Sequence, residues 1–350
     1  MARKQTTEIK PGESKASTLA RIKNSLNIDI YELPKDDVIE AIPTPSRWLN
    51  DKIGGGFAKG YFTLLNGMQS SGKTTLVLQT IAYNQKINPD FRVLFIDAEH
   101  AFKVQYAIKL GVDMSKVDVA RTLDMDDIYS TLYASCCDLD KFTLTDKTKN
   151  TYFQNYDLIV IDSIDAMMVE ADLQNDSMIS NRMGLKASGM SNGIKKALTA
   201  VNRTKTAVVM INQFRENIGG YGAPTTTPGG TAKEYYAFVR IDMVGTTAIK
   251  TGEEQIGNDV KVTVYKNKNG MPKGKTIWKM FYGDGFKFMS EVLTDALTKG
   301  AIIKAGSWYK FLDKDENGEL TQVSLAQGEI AMLNLLEDNL ELIEKIDNFV

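Results

Sequence analysis

The sequence predicts an α/β fold, a mostly parallel central sheet extended by antiparallel strands, on three observations. Short β-rich apolar runs alternate with longer stretches of helical period from residue 61 to residue 212. The string GMQSSGKT, Gly67 to Thr74, joins the first of those runs to the first of those helices. After residue 235 the intervening helices drop out and apolar runs follow one another across glycine-containing turns. An N-terminal arm over 1–45, a core over 46–285 and a small α+β module over 286–350 complete the expected division.

Residues 1–16 are polar and expected to be disordered. STLARIKNSLNI then places Leu19, Ile22 and Leu26 on one helical stripe behind a Ser17 or Thr18 cap. So short a helix needs a surface to dock on, in its own domain or a neighbouring subunit. In the core, strands are expected at 61–67, 91–97, 157–162 and 206–212, and helices at 73–87, 101–110, 126–139 and 183–203. The last helix aligns Met190, Ile194, Leu198 and Val201. Strands separated by helices imply parallel pairing with right-handed crossovers. The runs YYAFVRIDM, DVKVTVYK and TIWKMFY should then extend the sheet as antiparallel strands. Residues 286–350 read as helix, hairpin and helix. Within that hairpin, DKDENGEL resembles a calcium loop, but Ser324 stands where the twelfth-position glutamate belongs, so a plain turn is expected.

Composition narrows the function. With 350 residues, 43% of them hydrophobic, the chain can bury a full core. No apolar run approaches the roughly 18 residues of a spanning helix, and the polar N-terminus does not read as a signal peptide, so a cytoplasmic protein is expected. Cys136 and Cys137 are sequence neighbours, unsuited to a mutual disulfide or a metal site, and are read as buried. The single histidine, His100, excludes a multi-histidine metal site and is expected to be a packed or hydrogen-bonded structural residue. A net charge of −2 makes any nucleic-acid surface local. Residues 1–23 are rich in lysine and arginine, whereas Glu329, Glu337, Asp338, Glu341, Glu344 and Asp347 face only Lys345; the plain readings are a solvated arm and a solvated helix face.

The chemistry begins at the phosphate loop. Its glycines let backbone N–H groups turn toward phosphates, the following helix contributes partial positive charge, and Lys73 adds a full one. Gly67, Ser70, Ser71, Gly72, Lys73, Thr74 and Thr75 are therefore the expected ATP-binding set, with Thr74 as a Mg2+ ligand. In DLIVIDS, Asp162 ends an apolar strand, where a carboxylate reaches the Mg2+ beside such a loop. FIDAEHA ends the neighbouring strand in Asp97 and Glu99; of these, Glu99 is expected to be the base that deprotonates the attacking water. These features mark an ATPase core, which serves helicases, transporters and recombinases alike.

Ten strings in series resolve that choice: GMQSSGKTTLVLQTIA, FIDAEHAF, YAIKLGVD, DLIVIDSIDAM, MGLKASGMS, INQFRENIGGYG, GGTAKEYYAFVRIDM, VYKNKNGMP, YGDGF and AGSWY. In this order and spacing they resemble the RecA family of recombinases of bacteria and their phages, from about Ile42 to Tyr309. The resemblance implies a RecA-like P-loop ATPase that coats single-stranded DNA as a helical filament. It implies ATP held at each subunit interface, pairing of the coated strand with homologous duplex, and roles in DNA repair and the SOS response. The implied partners are single-stranded DNA, homologous double-stranded DNA and further copies of the chain, with single-strand-binding and loader proteins as additional candidates. The implied location is the cytoplasm of a bacterium, or of the host if a phage encodes the chain.

Carried over by position, Glu99 matches the family's catalytic glutamate, and Asp162 with Ser163 matches its Mg2+-side aspartate and neighbour. Tyr106 falls where an aromatic ring stacks near adenine. Gln213 matches the glutamine that senses the γ-phosphate, and Lys266 with Lys268 matches a lysine pair reaching the γ-phosphate of the adjacent subunit. Two lysines two apart on a strand do point the same way, and their role resembles an arginine finger given in trans. The glycine- and threonine-rich loop Glu216 to Gly230 matches a DNA-binding loop, expected to be mobile until a ligand orders it. Arg215, Gly219, Gly220, Tyr221, Gly229 and Gly230 are its expected DNA contacts. A second DNA-contacting segment maps to about Asp172 to Met183, with Met183 beside the bases. On the helix that follows, Lys186, Lys195 and Lys196 suit phosphates, and Lys195 aligns with a basic family position.

Departures stand beside the matches. Lys103 replaces an acid usual near the base, Glu234 replaces a basic interface residue, the mobile loop is one residue shorter, and 140–152 look inserted. A regulatory paralogue without strand exchange and a ring helicase are the competing readings. The joint presence of Glu99, Gln213, Lys266 and Lys268 disfavours the first, and the N-terminal helix with AGSWY disfavours the second.

Overall fold

The computed structural model describes residues 38–143, 150–169, 183–216, 225–226, 232–271, 273–314 and 320–349. The chain forms two compact units, Met1–Ile39 and Glu40–Val350, and the architecture below is that of the second. The expected N-terminal helix lies outside the described residues, as does the calcium-like turn between its two strands.

A short antiparallel pair, β1 (Ala41–Ile42) and β2 (Phe57–Ala58), flanks helix α1 (Arg47–Ile53) and leads into the core. There β3 (Phe62–Gly67), α2 (Lys73–Ile87), β4 (Val93–Asp97), α3 (Val104–Lys109), β5 (Val117–Ala120), α4 (Met125–Ala134), β6 (Leu158–Asp162), α5 (Met183–Thr204) and β7 (Ala207–Gln213) alternate as expected. After them come the short pair β8 (Arg215–Glu216) and β9 (Thr225–Thr226), then α6 (Ala232–Tyr236), β10 (Val239–Thr251), β11 (Glu254–Asn267), β12 (Gly274–Phe281) and β13 (Gly285–Phe286). The nine-stranded sheet runs β13-β12-β11-β10-β3-β7-β6-β4-β5.

Strands β3, β4 and β6 and most of β7 are buried on both faces, which is why they read as continuous apolar runs. On one face, Leu64, Ile96, Ile159 and Ile161 pack with Met125, Ile128 and Leu132 of α4 and Met190, Ile194 and Val201 of α5. The alternate residues Leu65, Phe95, Val160 and Val209 are buried on the other face.

Four expectations change in detail. β10 pairs parallel to β3 (Val239↔Thr63 to Met243↔Gly67), so antiparallel growth starts only with β11. Its approach through α6 makes it a crossover strand, and crossovers return parallel. The edge strand β5 was not expected, because of its four residues only Val117 is buried. Helix α3 starts three residues later than expected: the Asp97 carboxylate accepts from the N–H groups of Ala101 and Phe102 and holds them in a turn. Helix α4 ends five residues early, where Asn155 Nδ2 donates to the carbonyls of Ser135 and Cys137 and fixes the chain in a turn.

The C-terminal region comprises α7 (Met289–Lys299), β14 (Ile302–Ala305), β15 (Trp308–Lys314), β16 (Leu320–Gln327), α8 (Glu329–Asp338) and α9 (Leu340–Asp347). The expected hairpin gains a third strand, β14, and the expected single terminal helix is two, since the Asn339 side chain accepts from Leu342 N and caps a new start at Leu340. A separate core of Val292, Leu293, Phe311, Met332, Leu336 and Ile346 holds it together. Glu291 ties this region to α1: its carboxylate accepts from Ser46 Oγ (2.7 Å), Trp48 N (3.1 Å) and Trp278 Nε1 (2.6 Å). The acidic end is not simply a solvated face. Glu329, Glu337 and Asp347 pair with Lys279, Lys287 and Arg47 of the core. Among the described residues, no helix is long and apolar enough to cross a membrane.

Candidate active site

The site forms where β3, β4, β6 and β7 end side by side, the edge at which an open parallel sheet takes its ligand. The loop between Gly67 and Lys73 needs its glycines for space. A Cβ on Gly67 would lie 2.4 Å from the Met243 carbonyl, and one on Gly72 would lie 2.5 Å from both Met280 Sδ and the Phe286 ring. Gly72 also has φ +82°, a left-handed conformation that caps α2. Ser70 takes a similar φ of 59°, and Ser71 Oγ donates to the Met68 carbonyl at 2.8 Å.

Lys73 opens α2 with only 6% of its surface exposed. Its ammonium donates to the carbonyls of Met68 (2.7 Å) and Gly67 (3.1 Å). Burial pushes its pKa down to about 8, against the opposing pull of the Asp162 and Glu99 charges. Thr74 Oγ1 donates to Asp162 Oδ2 at 2.6 Å. Burial lifts Asp162 to about 6, opposed by the Thr74 bond and Lys73 and aided by Glu99 and Asp97. The next residue, Thr75, shares a 2.9 Å hydrogen bond with the Tyr106 hydroxyl, which places α3 and its aromatic ring against the start of α2.

Registry brings in the acids. Asp97 pairs with Asp162 across β4 and β6, and the Asp162 carbonyl accepts from Ala98 and Glu99 N–H. Asp97 is buried and spent on backbone amides and Arg121, so it serves the turn. Glu99 points instead to the cavity, where its Oε1 accepts from Gln213 Nε2 at 2.7 Å and from Ser163 Oγ in a short contact. A cavity of about 230 Å3 is lined by Ser70, Lys73, Thr74, Glu99, Asp162 and Gln213, among others. His100 departs from expectation: it is exposed, adopts φ 54°, and has no hydrogen bond among the described residues.

The other candidates lie elsewhere. Lys266 Nζ donates to the carbonyls of Glu234 (2.6 Å) and Tyr235 (2.9 Å), and Lys268 Nζ approaches Tyr235 O at 3.5 Å. Both lysines do point the same way, onto the carbonyl end of α6. Lys266 is level with Arg240, which pairs with Leu64, and Lys268 N donates to the carbonyl of Phe238, whose N–H donates to the Phe62 carbonyl at the start of β3, so both ammonium groups point away from the phosphate loop. Lys195 and Lys196 are exposed on α5, whereas Lys186 is half-buried and donates to the Asp165 carbonyl. Met183 begins α5 and Arg215 begins β8, but their side chains, and Gly219, Gly220, Tyr221, Gly229 and Gly230, lie outside the described residues. Glu234 explains its own departure by pairing with Arg240 at 3.0 Å.

Sequence reasoning missed a buried polar chain behind the site. Lys233, fully buried, donates to Asn212 Oδ1 (3.2 Å), Asn212 to Asn66 Oδ1 (3.0 Å), and Asn66 to Asp242 Oδ1 (3.1 Å), which Arg240 also holds. The available signal was an asparagine next to last in two apolar strands, TLLNG and VMINQ. Buried amides need partners.

Comparison with known proteins places this geometry in context. The profile of the RecA N-terminal domain matches residues 23–287. Protein RecA of Bacteroides thetaiotaomicron is 37% identical over 339 residues, covering 95% of this chain and 94% of its own length. Protein RecA of Fusobacterium nucleatum is 36% identical over 311 residues (88% and 75%), and that of Streptomyces coelicolor 34% over 317 (89% and 77%).

Proposed function

The chain belongs to the RecA family, and from that premise we propose that the cavity at Lys73 is the nucleotide site that powers its work. That work is ATP-dependent homologous recombination and repair, carried out by a DNA-dependent ATPase that assembles on DNA as a filament. The observation that supports this site most is the convergence of Lys73, Thr74, Asp162, Glu99 and Gln213 from four strand ends on one cavity.

In this reading Lys73 exchanges its two carbonyl partners for phosphate oxygens, so that a buried ammonium meets the charge it lacks. The loop amides and the start of α2 complete the phosphate cradle of Gly67, Ser70, Ser71, Gly72 and Thr75. Tyr106, anchored by Thr75, offers its ring to the base. The Thr74 hydroxyl and Asp162 carboxylate, 2.6 Å apart, form an oxygen pair that suits Mg2+. What Mg2+ supplies when bound there is neutralisation of phosphate charge. Glu99 takes the proton of the attacking water, and Gln213, now on Glu99, is positioned to report the γ-phosphate to the loop beyond β7.

Lys266 and Lys268 serve the nucleotide of a neighbouring subunit, because neither is among the residues that line their own subunit's phosphate cavity. Met183, Lys195, Arg215, Gly219, Gly220, Tyr221, Gly229 and Gly230 contact DNA. The division at 45/46 and 285/286, a cytoplasmic location, and single-strand-binding and loader proteins as partners belong to the same proposal. Turnover of ATP by the purified chain, with and without single-stranded DNA, and electron microscopy with a non-hydrolysable analogue test it. Strong stimulation and long helical filaments are expected; DNA-independent turnover or closed rings overturn it.

A further inference from the structure

We propose that Ser163 is a positioning residue for Glu99: with the Gln213 amide it holds one carboxylate oxygen, leaving the other to face the attacking water. This rests on the reading of Glu99 as the base.

Ser163 is fully buried, immediately after the last residue of β6. Its backbone is fixed on both sides, since the preceding Asp162 carbonyl accepts from Ala98 N (2.8 Å) and the following Ile164 N donates to the Ile211 carbonyl (2.9 Å). From this rigid seat its hydroxyl donates to Glu99 Oε1, the same atom that accepts from Gln213. Among the described residues, no hydrogen bond reaches Oε2. The carboxylate is therefore asymmetric. One oxygen is held by a donor just past β6 and another at the end of β7, and the other oxygen is open to the cavity.

The asymmetry matters because the rest of Glu99 is exposed and its side chain is long. A free glutamate loses rotamer entropy when a base must be held for attack. Gln213 is a conditional anchor: once it turns to a γ-phosphate it leaves Glu99. Among the described residues the Ser163 hydroxyl has no other partner, and it then holds Oε1 alone. In the hydrolytic step the water oxygen bonds to the γ-phosphorus, the bond from phosphorus to the bridging oxygen breaks, and ADP leaves. The water proton passes to Oε2.

The test is Ser163→Ala in the full chain. Its kcat for ATP with saturating single-stranded DNA should fall about tenfold, with KM for ATP and filament assembly unchanged. Ser163→Cys, which keeps a weak donor, should recover part of the loss and stands in should the alanine variant fail to fold. A kcat within twofold of the parent, or a fall in kcat accompanied by loss of filaments, overturns the proposal. Glu99→Gln, assayed alongside, separates the two ideas. If it turns over normally, the base reading fails. If it stalls while Ser163→Ala does not slow, only the positioning role fails.

Discussion

Lys73 and Lys266 point to opposite ends of one sheet: Lys73 follows the C-terminal end of β3, whereas the Lys266 ammonium lies on the Glu234 and Tyr235 carbonyls of α6, the helix that enters β10 beside the start of β3. A lysine so placed is not among the residues that line its own subunit's phosphate cavity, and the proposed role for it is at a neighbour's. Lys266→Ala or Lys268→Ala should therefore depress DNA-stimulated turnover at least tenfold while leaving nucleotide binding by isolated subunits intact. Turnover and fluorescent-nucleotide titration check this; undiminished turnover removes the contact in trans.

Glu99 and Gln213 should separate binding from chemistry. Glu99→Gln is expected to form filaments with ATP and DNA yet hydrolyse at least a hundredfold more slowly. Gln213→Ala is expected to bind ATP normally and lose most of the DNA stimulation. Filament assembly and turnover, measured on the same preparations, decide both.

The buried Lys233 makes a pH prediction. Burial lowers its pKa from 10.5 to about 8, with Asp165 and Glu234 opposing and Lys186 and Arg240 reinforcing the shift. The unfolded chain therefore binds the proton more readily than the folded one between these values, so stability from this group rises with pH across that window. Relative to Lys233→Met, the parent should gain on the order of 1–3 kcal/mol between pH 7.5 and pH 10. Urea unfolding of both proteins at the two pH values measures it; a constant difference refutes the buried charge.

Cys136 is fully buried, and burial pushes its thiol up to about 11. Thiolate is the reactive form, so a thiol reagent at pH 8 should leave it unmodified in the native protein and label it on unfolding. Rapid labelling of the native chain at Cys136, located by mass spectrometry, would contradict this.

The acidic end can be tested for a restraint on duplex DNA only with its fold intact. Met332, Leu336 and Ile346 belong to the C-terminal core, so deleting 329–350 should destabilise that region by several kcal/mol. Replacing exposed acids, as in Glu341→Gln with Glu344→Gln, retains the core. If the acidic surface repels duplex DNA, this double variant should bind it more tightly at low salt; equal affinity discards the idea.

Much of the site was legible because it obeys local rules. Gly67, Lys73 and Thr74 sit in a spaced motif between a strand and a helix. Asp162 and Gln213 are polar residues that end apolar runs, and an apolar run that ends in a polar side chain delivers it to the sheet edge. His100 was misread, because a histidine beside a buried strand looks packed until the φ of the turn is known. β10 was misread because pairing direction is a property of the connection, not of the run.

The sequence by itself determined the alternation of strands and helices, the phosphate loop, the identity of the acids and the family, since periodicity, motif spacing and ordered strings are local. Only the tertiary structure decided that Asp97 serves the turn while Glu99 faces the cavity, and that Ser163 and Gln213 share one of its oxygens. It also decided that Lys233, Asn212, Asn66 and Asp242 form one buried chain, and that Lys266 points away from the phosphate loop. Each of these depends on which strands become neighbours and in what register. A hydrogen bond over 2.7 Å between residues 114 positions apart is set by that packing, not by any local pattern.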